Sequence, residues 1–149
     1  MTEENPIRVF VTHNFVEDEN YLRVFEFLEG VDRFYYLNCS KPENVPGAGG
    51  GEAIREELIE QIQSCEAMVV LASLFIENPE LVGFQMDAAE AAEKPLIAVR
   101  PFGGVDETPA ELVERVKEHI EWNAREIADA ISRQARLEDT ARWDVVDFP

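Results

Sequence analysis

Six consecutive residues, Ala67-Met68-Val69-Val70-Leu71-Ala72, carry no polar side chain. A strand without inside–outside alternation has to be covered on both faces, so the run reads as a central strand of a parallel sheet with helices above and below it. The rest of the chain agrees with this. Short β-branched runs alternate with longer stretches of helical period, the signature of an α/β fold.

Ile7 to Thr12 reads as the first strand. Glu19 to Glu29 reads as an amphipathic helix with Tyr21, Leu22, Val24, Phe25 and Leu28 toward the core, ended by Gly30. Phe34 to Leu37 is the second strand. Asn38 to Gly51 holds Pro42, Pro46 and glycines at 47, 49, 50 and 51, too many breakers for anything but a loop. A helix from Glu52 to Ser64, with Ile54, Leu58, Ile59 and Ile62 inward, leads into the apolar strand. Asn78 is a good N-cap, Pro79 suits the first turn, and Glu80 sits where the helix dipole favours an anion, so a helix starts there and runs to about Glu93. Pro95 to Arg100 is a fourth strand, and Pro101 to Thr108 is a loop containing Gly103-Gly104. A helix from about Pro109 precedes a short edge strand, His119 to Trp122, and Asn123 with Glu126 forms a capping box for a last helix through about Arg136. The domain accordingly spans residues 1–136, and residues 137–149 form a tail that packs through Trp143 and Phe148 or is loose.

Five strands alternating with helices predict a flavodoxin-like three-layer sandwich with its parallel sheet in the order 2-1-3-4-5. Ligands of such sheets bind beyond the carboxyl ends of the strands, at the switch point between strands one and three. Here those ends are Thr12-His13-Asn14 and Ser73-Leu74-Phe75, rimmed by the glycine-rich loop and the start of the Asn78 helix.

Charge and composition exclude several partners. The formal charge of -18, from 31 acidic against 13 basic residues, argues against a nucleic-acid partner, which requires clustered Lys and Arg. No stretch approaches the roughly 18 consecutive apolar residues of a membrane span. The acidic start Met1-Thr2-Glu3-Glu4 is the opposite of a signal peptide's basic end, so a cytoplasmic location is expected. Cys39 and Cys65 have neither metal-ligand spacing nor the density of a disulfide scaffold, so free thiols and no metal are expected.

One polar residue stands out on the helix after the apolar strand. Helical periodicity puts Leu81, Gln85, Ala88 and Ala92 on one stripe, which aims the Gln85 side chain at the sheet rather than into water. An amide in that place needs a reason.

Together, Arg8-Val9-Phe10-Val11-Thr12-His13, the breaker-rich loop after strand two, the helix-then-strand segment Ile54 to Ala72, and Gln85 followed by Pro95 resemble a bacterial TIR-like domain. The likeness is greatest to the stand-alone TIR-like proteins of Thoeris antiphage systems. It spans Ile7 to Ser132 and rests on order and spacing rather than on a single motif. The resemblance implies cleavage of the nicotinamide–ribose bond of NAD, a substrate here and not a cofactor. The product would be a cyclic or amino-acid-linked ADP-ribose signal that activates a separate effector protein. The family's key glutamate matches Gln85 in this sequence, and its usual tryptophan matches Leu81. A carboxylate there would hydrogen-bond the ribose hydroxyls and stabilise the cationic sugar as nicotinamide departs, which an amide does only in part. Two origins fit Gln85. It is either an engineered, isosteric replacement that preserves shape while removing charge, or the residue of a natural relative that binds nucleotide or protein without turnover.

The resemblance puts the nicotinamide ribose near Gln85, with Thr12, His13, Asn14, Phe15 and Ser73 orienting it and the Asn38 to Gly51 loop closing over it. Read from residue type alone, Thr12, Asn14 and Ser73 serve a sugar or phosphate, or only shape turns. His13 is a base, or simply caps the crevice. Asp87 and Glu90 fall on the solvated side of the helix and do not replace the carboxylate. Gly49-Gly50-Gly51 lacks the dinucleotide fingerprint and a phosphate-binding lysine, so it reads as a mobile loop. The rival function is a non-catalytic module that uses TIR-like surfaces for self-association or for docking a partner. A response-regulator reading is weaker, because the first strand lacks the acidic pair that holds magnesium.

Overall fold

In the computed structural model, which describes residues 1–103 and 106–137, β3 (Ala67–Leu71) is buried along its whole length. It pairs in parallel with β1 (Ile7–Val11) on one side and β4 (Leu96–Val99) on the other. The edges are β2 (Tyr36–Asn38) and β5 (Glu118–Ile120), which gives one all-parallel sheet in the order β2-β1-β3-β4-β5. The apolar run predicts this arrangement, and its physical reason is that β3 has no face it can show to water.

The helices form the two outer layers of an α/β flavodoxin-like sandwich. α1 (Glu19–Glu29) packs with α6 (Ala124–Arg136), whereas α4 (Pro79–Ala91) packs with α2 (Gly50–Gln63) and α3 (Ala72–Glu77). α5 (Ala110–Val113) is a single turn that buries Leu112. Both expected N-caps are in place, although the Asn123 N–H donates to the Glu121 carbonyl rather than closing a box with the Glu126 side chain. Asn78 Oδ1 accepts from the Leu81 N–H and Asn123 Oδ1 from the Glu126 N–H. None of these helices is long and apolar enough to cross a membrane.

Several boundaries and faces differ from the sequence reading. β2 starts at Tyr36 rather than Phe34, and β3 stops at Leu71, where the chain turns at once into α3 instead of a loop. α2 begins inside the glycine run. Gly49 at φ 99 is its N-cap, and a Cβ there would lie 2.7 Å from that of Ala53, so the glycine is needed for close approach as well as for its backbone angle. On α1 the buried face is Tyr21, Val24 and Leu28, and Leu22 is exposed because 100° per residue carries it off that face. On α4 the innermost stripe is Val82, Gln85, Met86 and Ala89, one position round from the expected one but sharing Gln85 with it. The tail contacts expected of Trp143 and Phe148 lie outside the described residues.

At the amino edge of the sheet, Glu66 ties three elements together. Arg136, the last residue of α6, donates to its two carboxylate oxygens from Nε at 2.7 Å and Nη2 at 2.8 Å, and also reaches the carbonyls of Asn5 and Pro6. The Arg8 N–H donates to the same carboxylate at 3.0 Å, and the Glu66 N–H donates to the Arg8 carbonyl at 2.7 Å. The Arg136 hydrogen bonds are the largest cause, ahead of the Arg8 N–H, in holding the Glu66 carboxyl down at about 2, against the opposing effect of burial. A carboxyl depressed in the folded state stabilises it above the ordinary carboxylate range, and that contribution is lost as pH falls from about 4.5 toward about 2. Glu66→Gln should therefore lower stability at pH 7 by about 2–3 kcal/mol in urea unfolding, and the gap to the parent should narrow below pH 4. An unchanged midpoint at pH 7 would show that the cluster contributes nothing.

Candidate functional site

The carboxyl edge of the sheet is organised by a side-chain amide that behaves as a peptide group. Gln85 has 0% exposure. Its Oε1 accepts from the His13 N–H at 3.2 Å, and its Nε2 donates to the His13 carbonyl at 2.8 Å. A buried peptide must have both groups satisfied, and the amide supplies a donor and an acceptor at the right spacing. Only the backbone N–H can donate, which assigns the orientation of the amide. A carboxylate has no donor for the His13 carbonyl and would set an anionic oxygen against it. The reason for an amide at this place is thus structural.

His13 is held through its ring as well. Its Nδ1 accepts from the Phe15 N–H at 3.0 Å, so the proton sits on Nε2, which donates to Gln61 Oε1 at 2.9 Å. Burial keeps its pKa below the ordinary 6.5, outweighing the Gln61 hydrogen bond and the charges of Glu43 and Glu57. The imidazole is neutral at pH 7 with both nitrogens engaged, which makes it a brace for the loop and leaves no free nitrogen to act as a base. Phe15 occupies a left-handed conformation at φ 65, a strain of about 1–2 kcal/mol for a residue with a Cβ. The Nδ1 hydrogen bond and an edge-to-face contact with the His13 ring, centroids 5.0 Å apart, hold it there.

Gln61, which the sequence reading leaves aside, is a second amide of the same kind. Its Oε1 also accepts from the Lys41 N–H at 2.8 Å, and its Nε2 donates to the Lys41 carbonyl at 3.1 Å and to Glu57 at 2.9 Å. The loop expected to be mobile is therefore fastened at Lys41. Leu58, Gln61 and Ile62 lie at i, i+3 and i+4, so the inward position of Gln61 was available from helical spacing alone.

Of the six expected site residues, three, Thr12, His13 and Gln85, are buried, and three, Asn14, Phe15 and Ser73, are partly open. Thr12 has 0% exposure, and its hydroxyl accepts from the Leu71 N–H at 3.0 Å while its own N–H donates to Val69. It extends the β1–β3 ladder and, like His13, is covered. Asn14, Phe15 and Ser73 are half-buried. Ser73 Oγ accepts from Asn20 Nδ2 at 3.0 Å, which adds Asn20 to the site. Asn14 Oδ1 is buried and, among the described residues, has no hydrogen-bond partner. An orphan acceptor of that kind is met by a water or by another donor from outside the chain. Asp87 and Glu90 are exposed and share Arg115, each at 2.7 Å, and Cys39 and Cys65 are buried free thiols. Among the described residues no group of three His, Cys, Asp or Glu is placed to hold a metal ion.

No family model matches the chain, and no curated protein matches it. The TIR-like resemblance rests on its residues and their order.

The amide pairing predicts how a carboxylate at position 85 would behave. Gln85→Glu should be less stable than the parent at pH 7 by about 1–3 kcal/mol, the cost of an unsatisfied buried group. Facing the His13 carbonyl, the new carboxyl has its folded pKa raised, so its protonated form, which can donate, should restore most of the loss as pH falls. Urea midpoints of variant and parent at pH 7 and pH 5 check this. A deficit that grows toward acid would contradict the pairing.

Proposed function

We propose that this chain is a TIR-like protein of bacterial antiphage immunity that holds NAD at the carboxyl edge of its sheet. Cleavage of the nicotinamide–ribose bond is the activity that the resemblance implies when position 85 carries a carboxylate, and it requires that side chain to leave the His13 peptide and reach the sugar. The ADP-ribose-derived product, cyclic or amino-acid-linked, would then activate a separate effector protein. In the chain as it stands, Gln85 makes NAD binding the dominant property and turnover slow.

The observation that carries the reading is Asn14 Oδ1, a buried acceptor without a partner among the described residues, at the switch point where open α/β sheets bind their ligands. Ribose hydroxyls are donors of the right kind for it. Ser73 and Asn20 supply further polar atoms on the neighbouring turn. Gln85 supports the second half of the reading, because both atoms of its amide are taken by His13 and it offers no negative charge to an oxocarbenium-like transition state. The rival, a protein-interaction module, draws on the same fact: an amide committed to the fold leaves the TIR-like surface free for association.

Calorimetry with NAD and chromatography of released nicotinamide, on the parent and Gln85→Glu, test the reading together. The parent should bind NAD and release nicotinamide about a hundredfold to a thousandfold more slowly than the Glu form. Binding without release from the Glu form would remove the cleavage half. No binding by the parent, with concentration-dependent association instead, would establish the interaction module.

A further inference from the structure

We infer that Arg23 is the anion-receiving group of the carboxyl-edge crevice, and that the diphosphate of a nucleotide is what it receives. The inference rests on the nucleotide reading above and adds to it the residue and the class of group bound.

Arg23, on the second turn of α1, lies with Cζ 3.7 Å from the centroid of the Phe102 ring and 5.8 Å from that of Trp122. These rings come from the chain just beyond β4 and β5. Trp122 is fixed by its own Nε1–H, which donates to the Arg100 carbonyl at 2.6 Å, and its ring meets those of Phe27 and Phe102 edge-on. On the other side, Arg23 Nη1 donates to Asn20 Oδ1, and Asn20 Nδ2 donates to Ser73 Oγ. A continuous row of Ser73, Asn20, Arg23, Phe102 and Trp122 thus crosses the carboxyl ends of β3, β4 and β5, beginning at a residue of the candidate site.

Charge compensation sets this guanidinium apart from the other half-buried arginines, whereas Arg125, whose partner is at 3.9 Å, is exposed. Arg8, Arg100, Arg115, Arg133 and Arg136 each have a carboxylate oxygen at 3.4 Å or closer. Among the described residues Arg23 has only Glu19, at 3.7 Å, whose side chain is 90% exposed while that of Arg23 is 20% exposed. In a chain with 31 acidic residues, a cation drawn this far out of water has been left with a solvent-loosened partner. Stacking on an aromatic face holds the guanidinium while leaving the N–H groups that Asn20 does not take for a planar or tetrahedral oxyanion, in place of the exposed Glu19. A molecule of formal charge -18 repels anionic ligands at large, so an anion subsite on it requires a local, oriented cation. Asn20 is then a positioning residue, turning the fork through its Oδ1.

A purely structural Arg23 would pin the Phe102 loop and do nothing else. ADP and adenosine, titrated by calorimetry against the full chain and its Arg23→Gln and Arg23→Lys variants, separate the two. The parent should bind ADP more tightly than adenosine. Arg23→Gln should lose about tenfold to a hundredfold in ADP affinity with adenosine affinity unchanged, and Arg23→Lys should recover part of the loss, keeping charge but not the fork. Should Arg23→Gln fail to fold, Asn20→Ala serves in its place, with a smaller loss confined to ADP. A parent that binds ADP no better than adenosine, or an Arg23→Gln protein that keeps ADP affinity while its Tm falls, would overturn the inference. The NAD reading fails separately: ADP bound through Arg23 by a protein whose Gln85→Glu form releases no nicotinamide would refute cleavage and leave the diphosphate site standing.

Discussion

A side-chain amide buried at 0% exposure and paired on both sides with the peptide of His13 is the contact on which the carboxyl edge depends. Unsatisfied, the His13 N–H and carbonyl would together cost about 2–6 kcal/mol, a large share of the stability of a domain this size. Satisfied by Gln85, they fix the first turn after β1, and the His13 ring then supports the left-handed Phe15 and reaches Gln61. Gln61 in turn fastens the loop after β2 at Lys41. Two amides from two helices thus hold the two loops that border the switch point.

The opposite edge is held by charge rather than by neutral hydrogen bonds. Glu66, Arg136 and Arg8 join the end of α6 to the starts of β1 and β3. The contrast has a physical sense. The amino edge holds its carboxylate by direct pairing, whereas at the carboxyl edge the brace is neutral and the partly buried cation Arg23 is left undercompensated. The acidic residues nearest Gln85 on α4, Asp87 and Glu90, are turned outward onto Arg115, whereas Glu57 stays on the brace itself, accepting from Gln61.

How much of this could be read from the chain depended on the range of the interaction. The sheet order was legible because it follows from local signals: the apolar β3 run, the Asn78 and Asn123 caps, and the alternation of periods. Gln85 was legible as a polar residue on an inward helical face, but its partner lies 72 residues away, and no spacing rule connects them. Gln61 escaped because it sits in a polar stretch of α2 that reads as solvated, although its offset from Leu58 and Ile62 marked it as inward. Thr12 reads as a ligand-binding or turn-shaping hydroxyl because it ends a strand, whereas the ladder uses it to close on Leu71. α3 was not anticipated, since Ala72-Ser73-Leu74-Phe75-Ile76-Glu77 is too short and apolar for a clear period. Arg23 was hidden for the same reason as the partner of Gln85, since its aromatic partners come from the far ends of β4 and β5.

Amide hydrogen exchange of His13, followed by NMR together with the trans-hydrogen-bond coupling from its nitrogen to the Gln85 side-chain carbonyl carbon, tests the central pairing most directly. If Gln85 closes on the His13 peptide, that N–H exchanges as slowly as those of Val69 to Leu71 in β3, and the coupling is observable. An N–H that exchanges at the rate of an exposed loop, with no coupling, would show that the amide does not hold this edge.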